Sequence, residues 1–372
     1  MGPRSCFCED DLYTARFGDW ESTEIEKSFF GKIDFDGIDA VEYFSTFNHP
    51  GADSKTFKTL LLYMSLQKLR TPKGLLSLAD LVGVGSKNKI LYAMQEFQRV
   101  SCALWAECIW SIVDASESET KFIISDHPVT VYNSRCFPAS RWCRGYKDPD
   151  ISLCGTYTLF PLDLNKMLIL ANKSWVRNPY MNPLKLRPNS YPFRDTVFNF
   201  TDIQTGRMLT EHEVNEINFI VKKRAFRYIA AGKKEWLYPE NHIKSIYWDR
   251  LGDGHLLMPD PRQVAFTSET VFGFNDKHAE AFDVYGRRPW QPDYNDKQHH
   301  DKEFTTSRAF MGEFARKYGS RYRGRSYRFG QSENINASPE YHASLLKDEQ
   351  IYKARMRKKN NNTSFTIDQL SE

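Results

Sequence analysis

The stretch 122-FIISDHPVTVY-132 decides how the middle of the chain folds. Two short β-rich runs, "FIIS" and "VTVY", flank the break Ser125-Asp126-His127-Pro128, so the segment reads as strand, turn, strand. Pro128 confines His127 to extended backbone. In an extended segment neighbours point to opposite sides, so Asp126 and His127 do not form a simple dyad. Asp126 then has two readings. As a turn residue its carboxylate bonds nearby backbone amides. As a strand-end carboxylate it ligates Mg²⁺ or serves as a general base.

Working outward, the chain before this stretch is helical. "STEIEKSFFGKID" opens on a capping box of Thr23 and Glu26. A second short helix near Asp36 buries Ile38, Val41 and Phe44, and "NHPGAD" is a turn. In "SKTFKTLLLYMSLQKLRTP", Phe57, Leu60, Leu61, Met64 and Leu69 recur at helical spacing until Pro72. A Gly-containing linker leads to "NKILYAMQEFQRVSCALWAECIWSIVDA", which reads as one long helix, apolar on most sides and central to the fold.

After the turn, "TYTLFPL" and "KMLILA" read as further strands, and residues 178–195 as a Pro- and Asn-rich loop. "LTEHEVNEINFIVKKRAFRYIAAGKK" predicts a helix with a Thr210–Glu213 capping box, ended by Gly232. Beyond about residue 235, Pro, Gly and aromatic residues predict segments wrapped on the body, with one helix in "FTTSRAFMGEFARKY" and a disordered tail from "RMRKKNNN". The predicted fold is therefore α+β: a mainly helical N-terminal layer, a small antiparallel sheet and an extended C-terminal segment. The expected divisions are a core over 1–232, an extension over 233–340, and a helix with a basic tail over 341–372.

Composition narrows the class. Of 372 residues, 41% are hydrophobic and 26% charged, an ordinary globular balance. A net charge of +4 is too small to argue for nucleic acid by itself, so the distribution of charge matters more. The most apolar segment, "VSCALWAECIWSIV", is shorter than a membrane span and carries Glu107. The acidic start, "MGPRSCFCEDDLY", is not a secretory signal, and seven scattered Cys read as reduced thiols. The expected setting is cytoplasmic.

"LQKLRTP", "FIISDHPV", "FPLDLNKMLIL" and "VNEINFIVKKRAFRYI" occur in that order. With that set, the chain over roughly residues 9–231 resembles the bacterial and fungal proteins grouped as domain of unknown function 4238. The resemblance implies a helical fold with a small sheet. Some members resemble anti-phage defence factors, which implies a nuclease- or toxin-like role. Members usually open with a His-Tyr-Val-Pro-Gln stretch and a strand pair that this chain lacks. The expectation is either a truncated start or a variant that has lost them.

The leading functional expectation is a nucleic-acid-acting, nuclease-like defence effector. Asp126 is its metal ligand or base, Glu26 a second carboxylate and Arg70 a charge stabiliser. Arg70 is equally a structural ion-pair partner for Asp126. Asn218 is a buried polar anchor or a ligand contact. "RKYGSRYRGRSYRF", residues 316–329, interleaves Arg321, Arg323 and Arg325 with Tyr322 and other rings. That pattern suits phosphates and stacked bases, or pairing with the chain's own acids. Asp163 and Lys166 are spaced wrongly for a restriction-type core on one strand. "DFDGIDAVE" fails as a calcium loop, since Tyr43 falls at the Glu position. "KQHHDKE" reads as an exposed polar loop. The rival functions are a non-catalytic sensor or interaction module and a phosphohydrolase for a small metabolite.

Overall fold

The computed structural model describes residues 15–17, 20–22, 30–47, 53–83, 87–143, 147–180, 184–186, 203–251, 255–264, 270–275, 278–283, 287–292, 294, 296–327 and 339–367. The first half contains β1 (Ala15–Phe17), β2 (Trp20–Ser22), α1 (Gly31–Ser45), α2 (Ser54–Leu69), α3 (Pro72–Val82) and α4 (Lys87–Ala106). Then come β3 (Cys108–Asp114), β4 (Ile124–Ser125), β5 (Thr130–Tyr132), β6 (Tyr157–Pro161), β7 (Lys166–Asn172) and α5 (Lys173–Arg177). The second half contains β8 (Ile203–Met208), α6 (Glu211–Arg224), β9 (Ile229–Ala230), β10 (Thr270–Asn275), β11 (His278–Asp283), α7 (Lys297–Tyr318), β12 (Arg325–Tyr327) and α8 (Pro339–Ile367).

The fold is α+β, as expected. Its main sheet runs β12-β8-β3-β7-β6-β5. The sheet is mixed rather than antiparallel, because β3 and β8 pair in parallel while the other neighbours are antiparallel. Alternation along β3 builds two cores. Ile109 and Val113 join Trp248, Phe310 and Phe314 on one face. Trp110 and Ile112 join Phe44, Phe57 and Leu60 on the other. Phe57 stacks on Trp110 with centroids 4.4 Å apart. Helices α1 and α2 thus cover one face, and α6 and α7 the other.

This burial on both faces explains the main difference from the sequence expectation. The long helix expected through residue 115 stops at Ala106, and Cys108–Asp114 is the central strand, buried at every residue. A strand covered on both sides carries a continuous apolar run and loses the alternation that marks a strand. Cys108 therefore opens a strand and is not helical.

Four further boundaries differ. The expected linker after Pro72 is α3, which begins with Pro at its first turn and with Thr71 as N-cap, accepting the Gly74 amide. A Cβ on Gly74 would sit 2.2 Å from the Lys68 carbonyl, so only glycine lets α3 turn back so closely on α2. Helix α6 keeps its Thr210–Glu213 capping box but ends at Arg224, not at Gly232. "KQHHDKE" forms about the first two turns of α7, with Asp296 capping it, and the expected disordered tail is helical to Ile367.

Candidate functional site

The break after β4 joins three parts of the fold. Ser125 Oγ donates to the His127 carbonyl at 2.9 Å and accepts the His127 amide at 3.2 Å, which fixes the turn locally. From this turn Asp126 and His127 make separate sets of contacts.

Asp126 binds the chain leaving α6. Its Oδ1 accepts the Phe226 amide at 2.9 Å, and its Oδ2 accepts those of Arg227 and Tyr228 at 2.7 and 3.1 Å. Its own amide donates to the Tyr228 carbonyl at 3.0 Å, continuing the β4–β9 pairing. The amides just past α6 are thereby taken by a carboxylate, and this ends the helix eight residues before Gly232.

His127 is 1% exposed and enters a charged interior. Its Nε2 lies 2.9 Å from Asp148 Oδ2, and its Nδ1 lies 2.7 Å from Thr71 Oγ1. Asp148 also accepts Lys68 Nζ at 2.7 Å and Lys73 Nζ at 2.5 Å, and Lys73 donates to the Arg224 carbonyl at 2.8 Å. A carboxylate can only accept, so His127 carries its proton on Nε2. In the neutral ring Nδ1 is then the acceptor, and Thr71 donates to it at 2.7 Å in preference to the Lys68 carbonyl at 3.2 Å, while capping α3. Hydroxyl, imidazole and carboxylate form a continuous chain, in the order used for nucleophile activation. Here the imidazole is sealed inside, and the hydroxyl is engaged as a helix cap.

Burial pushes His127 down to about 4, against the pull of Asp148. Burial alone would raise the Asp148 carboxyl, but Lys68, Lys73 and His127 override it and hold it well below the usual carboxylate range. Burial lowers Lys73, and Asp148 opposes that. Because the folded His127 sits below its ordinary 6.5, its contribution to stability is complete above that pH. It is lost as the pH falls from 6.5 towards 4, where only the unfolded chain takes the proton. Urea unfolding of the wild type should lose up to about 3 kcal/mol more over that interval than unfolding of His127→Gln. Equal pH profiles for the two proteins would exclude the assignment.

Other expected residues fall elsewhere. Arg70 does not pair with Asp126; its Nη1 donates to Asp34 of α1 at 2.5 Å. Arg70, the C-cap of α2, reaches α1, whereas the turn is reached through Thr71. Glu26, with its capping box, lies outside the described residues. Asn218 is an anchor for the strand entry: its Oδ1 accepts the Ile123 amide at 3.1 Å and its Nδ2 donates to the Lys121 carbonyl at 2.8 Å. Asp163 closes a turn on the amides of Asn165 and Lys166, and the Lys166 ammonium pairs with Asp114. Among the described residues Asp126 is engaged by three amides, and no group of three or more His, Cys, Asp or Glu is placed to hold a metal ion.

The aromatic and basic segment is partly spent inward. Arg323 donates to Glu213 at 2.8 Å and lies over the Tyr318 ring, 4.1 Å from its centroid. Tyr322 lies under the guanidinium of Arg262. Arg325 is in β12 opposite Thr205. Arg321 is exposed at the surface. Thr71, Lys68, Lys73 and Asp148 were missed by sequence reasoning. The one available signal was Thr-Pro at a helix start, which marks Thr71 as a cap.

The molecule is thus an α+β protein whose mixed sheet is tied to its helices through a polar turn. Residues 86–235 match the model of the family described as "Protein of unknown function (DUF4238)". The resemblance read from the sequence holds over that stretch, which includes Asp126, His127, Asp148 and Asn218, and it starts later than residue 9. No curated protein and no solved structure matches the chain. Among the described residues no helix is long and apolar enough to cross a membrane.

Proposed function

We propose that the protein binds nucleic acid through the basic end of α8 and the adjoining end of α7. The observation that carries this is the charge of α8. Between Gln350 and Ile367 there is no Asp or Glu, while Lys353, Arg355, Arg357, Lys358 and Lys359 all fall there. Residues 353–361 are exposed on every side of the helix. Closely spaced like charges on one helix repel each other, and a polyanion relieves that repulsion. A solvated helix face is the bland alternative, but such faces usually interleave both signs.

The neighbouring geometry widens this surface. Glu349 is buried and shared by Arg316 of α7 and Lys353 of α8. The two basic segments therefore meet at one carboxylate, and Lys317 and Arg321, which follow Arg316 in sequence, are exposed. Arg321 remains a phosphate-binding residue in this reading. Arg323 and Tyr322 face other protein groups. Cleavage is not part of the proposal, because the carboxylate expected to perform it is engaged by main-chain amides. Cys102, Cys136 and Cys143 are free thiols, which suits a reducing, cytoplasmic setting.

Salt dependence tests the reading. Binding of a fluorescent single-stranded oligonucleotide should give a slope of log K against log salt near −3, for about four phosphates neutralised. The variant Arg355→Gln, Arg357→Gln, Lys358→Gln should flatten that slope to about −1. A flat slope in the wild type, or an unchanged slope in the variant, contradicts it.

A further inference from the structure

A second feature of the charge distribution lies at the junction of β8, α6 and β12. Arg207 is in β8, and Arg323 is in the turn entering β12, the strand that pairs with β8. Their Nη2 atoms donate to the same oxygen, Glu213 Oε1, at 3.0 and 2.8 Å. The other oxygen, Glu213 Oε2, is taken by the amide and hydroxyl of Thr210 in the helix cap. The next acid, Asp260, is spent on Arg262 Nε and Nη2 and on the Arg323 amide. One carboxylate therefore faces two guanidinium ions.

The surplus cation is buried. Only 6% of the Arg207 side chain is exposed, and its Nε–H has no hydrogen-bond partner. Arg323 is 14% exposed, and its Nη1 also has none. Burial, with the Arg323 charge adding to it, lowers Arg207 to about 10. The Tyr318 ring covers one face of the Arg323 guanidinium, and its hydrogen-bond donors lie along the edge. A buried cation with idle donors is costly unless something anionic meets it.

We propose that Arg207 and Arg323 form a binding site for a small oxyanion carrying one negative charge, of the phosphate or carboxylate class. One such charge makes the group electrically neutral. Two oxygens satisfy the two idle donors, and guanidinium edges match oxyanions in geometry. Glu213 stays in place as the residue that holds both guanidinium groups towards one point. The site is separate from the basic end of α8 and does not depend on it.

Equilibrium dialysis of the full chain against inorganic phosphate, and separately against acetate, tests the site at matched ionic strength. The expected result is one saturable oxyanion per chain. Arg323→Gln and Arg207→Lys, each first shown to melt cooperatively, should bind at least about tenfold more weakly. Arg207→Lys keeps the charge and removes the fork, so its loss separates shaped recognition from general attraction. The α8 variant of the preceding subsection should bind phosphate as the wild type does. A wild type that takes up neither probe saturably overturns the proposal whatever the variants do, and so do variants that bind as tightly as the wild type. Melting temperatures alone would not decide it, since phosphate also stabilises folded proteins by exclusion from their surface.

Discussion

Replacing Asp148 with Asn should lower the free energy of unfolding by about 3–5 kcal/mol, measured by urea denaturation at neutral pH. Asp148 is the shared acceptor of Lys68, Lys73 and His127. Without its charge, the ammonium of Lys73, 4% exposed, is left in the interior with only the Arg224 carbonyl and a neutral amide nearby. Breaking a buried pair costs far more than the pair contributed, because the remaining charge stays desolvated. The same change loosens three elements together, since Lys68 is in the last turn of α2, Lys73 in the first turn of α3, and His127 belongs to the turn before β5. Adding Lys73→Met should recover part of the loss by removing the stranded charge, so the two changes will not add. A loss below about 1 kcal/mol for Asp148→Asn would mean that water reaches the cluster and that it is not the clamp described.

Asp126→Ala should cost about 2–3 kcal/mol. Three amides lose an ionised acceptor at once. The Phe226 amide is partly buried, while those of Arg227 and Tyr228 are exposed enough for water to replace the carboxylate, which keeps the loss below that for Asp148. Asp126→Asn keeps one acceptor oxygen and should cost roughly half as much. The denaturant midpoint will fall while the slope stays constant, because the same surface is exposed on unfolding. An Asp126→Ala protein as stable as the wild type would show that the helix end does not need this carboxylate.

Much of the frame was legible where a pattern is local. The Thr210–Glu213 capping box, the helical spacing from Phe57 to Leu69 and the strand at Lys166–Asn172 all follow from neighbours in sequence. The short run at 122–132 was legible as strand, turn, strand for the same reason, while Asn218 stays open in the sequence between an anchor and a ligand contact, because an amide at a buried helix position needs partners that the sequence does not name. What failed was non-local. Cys108–Asp114 carries no alternation, because α2 and α6 cover both of its faces from distant parts of the chain. Asp148 meets Lys68 and Lys73 across 80 and 75 residues of chain, so "YKDPD" gave no sign of being the hub of a charge cluster. The early end of α6 has the same origin: Asp126 reaches the Phe226 amide from 100 residues away. The arginines of 316–329 could equally pair inward or outward by sequence. Glu213, 110 residues away, decides that Arg323 turns inward.

Amide hydrogen exchange at Phe226, Arg227 and Tyr228, compared between the wild type and Asp126→Asn, tests the central claim most directly: this carboxylate holds the end of α6 to the turn. Exchange at these three positions should quicken by at least about tenfold in the variant. The amides of β3 and β7 should keep their protection, as the sheet does not depend on this contact. Unchanged exchange at the three positions, in a folded Asp126→Asn protein that has lost a Mg²⁺-dependent cleavage the wild type performs, would contradict it and return Asp126 to a catalytic role.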